Sequence, residues 1–183
     1  MLLDHRAAGH SQGHGQHPAR QATHCLYTVN TYIHIIADTA SVSPSSSSYI
    51  TDTMVNAQFQ YLATAYTNAS ICFTLLGIDR TTNSTWAANG DDQAMKTALR
   101  RGTYSTLNIY YQSELQSTPG TPGVPAGSTL LGYCSLPSAG VTSTAPPSVY
   151  VLDGCNVLSA TMPGGSLNGY NLGGTTAHEV GHW

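Results

Sequence analysis

An α/β (α+β) fold, with one sheet layer backed by helices, follows from three features of this 183-residue chain. Apolar residues alternate in short runs at 26–37, 70–76 and 106–111, the period of half-buried strands. At 52–68 they recur at spacings of three and four, the period of an amphipathic helix. Strand-like and helix-like segments take turns through 26–111, as they do in a sheet covered by helices.

The elements follow in order. Val29, Thr31, Ile33 and Ile35 share one face of a strand at 26–37. His34 points the other way, beside Tyr32 and Ile36, and is read as a packed sheet-face histidine rather than a ligand. Ser41 to Ser48, with Pro44, is a loop. Val55, Phe59, Leu62 and Tyr66 form the apolar stripe of a helix at 52–68, capped by Thr51 or Asp52. Ile71, Phe73 and Leu75 line a second strand, after which Asp79 to Asn89 reads as a polar loop anchored by Trp86. A short helix spans 91–101, with acids in its first turn, arginines in its last and Gly102 as its stop. Leu107 and Ile109 point inward from a third strand at 106–111. Two Pro/Gly/Ser-rich loops flank a short strand at 130–134, and 149–151 and 155–158 read as extended pieces around an Asp153-Gly154 turn. The glycine-rich stretch 162–174 leads to a last helix that Thr175 or Thr176 can cap.

Composition narrows the function classes. Hydrophobic residues make up 40% and charged residues only 8%, against about 25% charged in an ordinary domain. Six Lys+Arg against nine Asp+Glu leave no basic patch to hold a nucleic-acid backbone. No run reaches the roughly 18 apolar residues of a membrane span. Residues 1–24 hold five histidines (His5, His10, His14, His17 and His24) among Gly, Gln, Ala and Ser, the composition of a disordered leader without a visible signal peptide. The few charges, abundant Ser/Thr and even number of cysteines nonetheless suit an extracellular protein. Asn68-Ala69-Ser70 and Asn83-Ser84-Thr85 are N-glycosylation sequons. Cys25, Cys72, Cys134 and Cys155 allow three disulfide pairings, and sequence alone does not choose among them. A Cys134–Cys155 bridge would close roughly 20 residues and stabilise by about 3 kcal/mol.

One motif carries sharp chemistry. His178-Glu179-Val180-Gly181-His182 is H-E-x-x-H. On a helix, positions i and i+4 share a face, so both imidazoles can reach one zinc ion. Glu179 projects beside the metal and can act as general base toward a water that the zinc activates. Catalytic zinc takes three protein ligands, and the third is missing from these residues. His34 lies in the first strand, the N-terminal histidines lie in the leader, and Asp153 precedes a long loop. The expectation is that the third ligand lies beyond Trp183.

The sequence resembles the pappalysin-like branch of the metzincin zinc metallopeptidases, of the fungal extracellular type. The resemblance runs from Asn30 to Trp183. It rests on Asn30-Thr31-Tyr32-Ile33-His34-Ile35-Ile36-Ala37, Ile71-Cys72-Phe73-Thr74-Leu75, Leu131-Gly132-Tyr133, Pro163-Gly164-Gly165, Tyr170-Asn171-Leu172-Gly173 and His178-Glu179-Val180-Gly181-His182-Trp183. It implies His178 and His182 as the first two zinc ligands, Glu179 as general base, a glycine and a third histidine near positions 185 and 188, and a methionine-containing turn further on. It also implies a zincin-like upper subdomain at 25–183: a twisted mixed sheet, two backing helices and the start of the active-site helix, with the lower subdomain absent. Leu131 to Leu136 corresponds to the edge strand that holds an extended substrate, and Cys134–Cys155 fits cysteines of relatives.

The expected function is a secreted, monomeric zinc endopeptidase acting on protein or peptide substrates, incomplete and inactive over these residues alone. A non-catalytic fragment that binds protein through its sheet edge is the alternative. A structural zinc protein with a local third ligand, His34 or Asp153, is a further one. No G-x-S-x-G elbow or phosphate-binding glycine loop supports acyl transfer or nucleotide chemistry.

Overall fold

The computed structural model describes residues 24–121, 123–142 and 144–183. The expected leader, His24 apart, lies outside them. Five strands form one mixed sheet: β1 (Tyr27–Ala37), β2 (Ile71–Thr82), β3 (Leu107–Gln112), β4 (Gly132–Cys134) and β5 (Cys155–Leu158). Their spatial order is β2-β1-β3-β5-β4. All neighbours run parallel except β4, which pairs antiparallel with β5 at the sheet edge.

Helices cover both faces, as the buried runs of parallel strands demand. On one face α1 (Asp52–Ala65) joins β1 to β2 as a βαβ unit. Thr51 caps it, its hydroxyl accepting from the Met54 amide at 3.2 Å. Val55 and Leu62 are buried against Ile33, Ile35, Ile109 and Val157, while Phe59 and Tyr66 pack at the margin. On the other face α2 (Ser84–Ala87) and α3 (Asp92–Leu99) bury Ala87, Met95 and Leu99 against Ile36 and Tyr110. Helices therefore back the sheet on both sides, where the resemblance implied two helices without assigning faces.

Several local expectations are corrected. β2 runs on through Asp79 to Thr82 rather than ending near Leu76. It is an edge strand, so its later residues alternate toward solvent while their backbone still pairs with β1 as far as Ala37↔Thr82. α1 stops at Ala65, and the chain tightens into a 3-10 turn ending in a left-handed Ser70 (φ 56°). α3 ends at Leu99, which leaves Arg100 outside it, in a buried ion pair with Asp153. Residues 147–150 form a helical turn, α4 (Pro147–Tyr150), rather than an extended piece. Pro147 sits in its first turn, where proline's fixed φ and missing amide suit a helix start.

His34 is fully buried, as expected of a packed histidine. Its Nδ1 lies 2.8 Å from Asp79 and its Nε2 3.0 Å from Asn108 Oδ1, and its ring stacks on Tyr110. Both disulfides of the described residues form, Cys25–Cys72 and Cys134–Cys155. The latter joins directly opposite residues of β4 and β5.

The turn after β1 is organised by Asp38. One carboxylate oxygen accepts from the amides of Ala40 and Ser41, the other from the hydroxyls of Ser41 and Ser113. The Ser41 hydroxyl above all, with Ser113 and the two amides, holds the carboxyl at about 2 against the opposing effect of burial. A depressed folded-state value makes this stability fully present above the unfolded value, near 4, and lost as pH falls toward 2. The wild type should thus lose about 2 kcal/mol relative to Asp38→Asn between pH 5 and pH 2. Urea midpoints of both proteins across that range check it, and parallel curves would refute it.

Candidate active site

The H-E-x-x-H residues lie on α5 (Gly174–His182), packed on the α1 face of the sheet. Gly173 precedes the helix in the left-handed region (φ 91°), and no side chain caps its start. Thr175 and Thr176 are therefore helical residues and not caps. Thr176 is buried instead and shares a 3.0 Å hydrogen bond with the Tyr111 hydroxyl of β3.

His178 and His182 project together from the exposed side of α5. Their Nε2 atoms are 3.2 Å apart, with the rings nearly perpendicular. Two imidazole nitrogens at 2.0–2.1 Å from a tetrahedral zinc ion stand about 3.3 Å apart. The pair fits two corners of such a site. Among the described residues no group of three His, Cys, Asp or Glu converges to hold a metal. The donor set fits zinc in part, with two ligands of the usual three.

Glu179 faces inward, 8% exposed, and among the described residues no side chain or backbone group hydrogen-bonds its carboxylate. Burial pushes its carboxyl above the ordinary value, while the two neighbouring histidines pull the other way. A carboxylate without hydrogen-bond partners keeps its lone pairs available and is a stronger base than a solvated one. Gly132 of β4 makes room for it. A Cβ there would lie 2.7 Å from Glu179 Cγ and 3.1 Å from its Oε1. Gly132→Ala should therefore destabilise by about 1–3 kcal/mol through overpacking. An unchanged urea midpoint would mean that Glu179 swings away freely.

Long-range hydrogen bonds hold α5 at each level. Gln58 Nε2 donates to the Gly173 carbonyl at 3.0 Å, and the Tyr66 hydroxyl donates to the Ala177 carbonyl at 2.8 Å. Gly181 lets Tyr66 approach, since a Cβ at that position would meet its hydroxyl at 3.1 Å. At the far end Trp183 Nε1 donates to Asp153 Oδ1 at 2.9 Å. Asp153 Oδ2 accepts from Arg100 at 2.7 Å. Asp153 is thus committed to two partners, and His34 to a separate network across the sheet. Neither joins the histidine pair, which removes both as local third ligands. Gln58, Tyr66, Tyr111 and Arg100 had no functional signal of their own in the sequence, and Gly132 had one only as part of the edge strand. Gly181, a glycine inside a helix, was the one sign of a close approach.

Among the described residues the outer edge of β4 has no strand partner. A cleft of about 600 Å³ opens along it, lined by Gly132, Tyr133, Leu130, Thr118 and Asn89. Of the sequon residues, Asn68 is exposed in the turn after α1, and Asn83 caps α2 through its Oδ1. Among the described residues no helix is long and apolar enough to cross a membrane.

No family model matches the chain. Curated fungal proteins do. An extracellular metalloprotease of Aspergillus oryzae is 45% identical over 168 residues, covering 85% of this chain and 51% of the relative. One from Pyricularia oryzae is 40% identical over 177 residues, covering 97% of this chain and 55% of the relative. One from Sordaria macrospora is 46% identical over 155 residues, covering 85% and 48%. Fungal extracellular metalloproteases are homologues of this chain, which spans about half their length.

Proposed function

We propose that this chain carries the upper half of the active centre of a secreted zinc endopeptidase of the pappalysin-like type. The observation that carries the reading is the convergence of the His178 and His182 Nε2 atoms beside the buried Glu179 carboxylate. Similarity to proteins named extracellular metalloproteases supports it, as do the two disulfides expected of an oxidising compartment.

His178 and His182 would hold the metal through their Nε2 lone pairs. When bound, zinc supplies Lewis acidity to the scissile carbonyl and to the attacking water. Glu179 would be the general base, its carboxylate oxygens holding the proton of the attacking water before passing it to the leaving amine. The free edge of β4 accepts an extended peptide by backbone hydrogen bonding, antiparallel or parallel to Gly132–Cys134. Protein or peptide is accordingly the substrate, and the active protein works as a monomer.

The proposal places a third histidine ligand beyond Trp183, at the spacing that the resemblance implies. With two ligands, the 183-residue polypeptide binds zinc weakly and hydrolyses peptides negligibly. Zinc titration against a competing chelator tests both points. Weak binding that His178→Ala and His182→Ala each abolish is the expected result. Tight one-to-one binding would overturn the two-ligand account. Binding that survives both substitutions would overturn the site.

A further inference from the structure

We propose that the cleft beside β4 is a side-chain subsite that selects a bulky uncharged residue of a bound peptide, with the Tyr133 ring as its wall and Thr118 at its rim. The inference rests on the reading that the edge of β4 accepts an extended peptide. It adds which residue of that peptide is read, and for what chemistry.

The ladder between β4 and β5 fixes the register. Along an antiparallel strand, the N–H and C=O of one residue point to one side and those of the next to the other. The Leu131 carbonyl accepts from the Leu158 amide, and the Ser135 amide donates to the Gly154 carbonyl, so both residues turn toward β5. Tyr133, midway between them and opposite Asn156, turns the same way. Gly132 and Cys134 therefore turn their N–H and C=O outward, and an extended peptide pairs with these two residues. Residues level with each other across a ladder share a face, and neighbours along a strand take opposite faces. Gly132 lies against Glu179, and Cys134 packs into the core on the α1 side. Peptide residues level with these two thus point toward the face that carries α5. The residue between them, level with Tyr133, points the other way, into the cleft.

On that face the Tyr133 hydroxyl donates to Asn89 Oδ1 at 2.9 Å, which holds the ring in place. Asn89, Asp92 at the start of α3, and Thr118 and Leu130 before β4 line the rest. The volume of about 600 Å³ is ample for the largest side chain. Asp92 is the charged residue among those lining the cleft, and both its oxygens are engaged. Oδ1 accepts from Asn156, and Oδ2 pairs with Lys96, itself 1% exposed. A basic side chain finds no free carboxylate there, and an acidic one finds no accessible cation to replace its hydration. A bulky uncharged side chain instead buries its surface against the Tyr133 ring and Leu130.

Three heptapeptides with blocked ends test this on the 183-residue chain without metal. They share a Ser/Thr background and differ only in a central Phe, Ala or Glu. Amide shifts of the isotope-labelled chain give both affinity and location. The Phe peptide should shift the Gly132 and Cys134 amides, bind about tenfold tighter than the Ala peptide, and show ring contacts to Tyr133 and Thr118. The Glu peptide should bind no tighter than the Ala peptide. Thr118→Trp, at an exposed position, fills the cleft and should bring the Phe and Ala peptides within twofold of each other, with Ala-peptide affinity unchanged. Equal binding of the Phe and Ala peptides by the wild type would overturn the subsite. So would Glu binding as tight as Phe, ring contacts to α5 instead, or a Phe preference that survives Thr118→Trp. If none of the three peptides moves the Gly132 and Cys134 amides, the edge takes no peptide, and the substrate reading above fails together with the subsite.

Discussion

Arg100→Ala should cost about 3–5 kcal/mol of stability, the largest loss expected from a single substitution in this chain. The pair it breaks is short and both partners are almost fully buried. Most of the cost falls on the group left behind. Burial already pushes the Asp153 carboxyl above its ordinary value, with Arg100 the main influence pulling it back. Without that cation the carboxylate must either stay charged in a poor solvent or take up a proton. The substitution also strips the donors that Arg100 gives to the Tyr150 and Thr103 carbonyls. Urea unfolding at neutral pH reads the effect. A loss below about 1 kcal/mol, the worth of an exposed pair, would show that water reaches Asp153 readily.

Removing the disulfides should cost nearly as much, and the two should differ in kind. Cys25–Cys72 spans 47 residues and Cys134–Cys155 spans 21. Chain entropy alone predicts about 4 and about 3 kcal/mol. The first bridge fastens the start of β1 to β2, which eleven paired positions already align. Its loss should lower the urea midpoint and leave the site's shape alone. The second fastens β4, which has only three paired positions, and β4 carries Gly132 against Glu179. Its loss should also free the edge strand, seen as fast amide exchange at 132–134. Slow exchange there in Cys134→Ser/Cys155→Ser would show that the ladder alone suffices. Equal unfolding midpoints for the double variant and wild type would refute the entropic account.

The elements that the sequence makes legible are those whose stability is local or repeated along the chain. β1, β3 and α1 announce themselves because each buries a periodic face: Ile33 and Ile35, Leu107 and Ile109, Val55 and Leu62. The H-E-x-x-H spacing is legible for the same reason, since one helical turn is enough to bring His178 and His182 together. The second half of β2 hides because its partner is the backbone of β1, while its own side chains are Asp79, Arg80, Thr81 and Thr82. α4 hides because Val149-Tyr150-Val151 has strand composition, and the proline before it decides otherwise. Arg100 reads as a helix-end charge because nothing nearby in sequence reveals Asp153, 53 residues away. The groups around Glu179 and α5 are invisible for that reason as well.

The spread of those groups along the chain links site assembly to folding. α5 takes its hydrogen bonds from residues 115, 111, 65 and 30 positions earlier. Contacts so distant in sequence form late, after the loops between them have closed. A short peptide with the motif forms that helical turn only marginally in water. The histidine pair therefore matures with the sheet, and any ion it holds draws its free energy from the whole cooperative unit. Loss of the sheet should therefore disperse the histidine pair, so the close approach of the two Nε2 atoms reports folding as much as helix geometry.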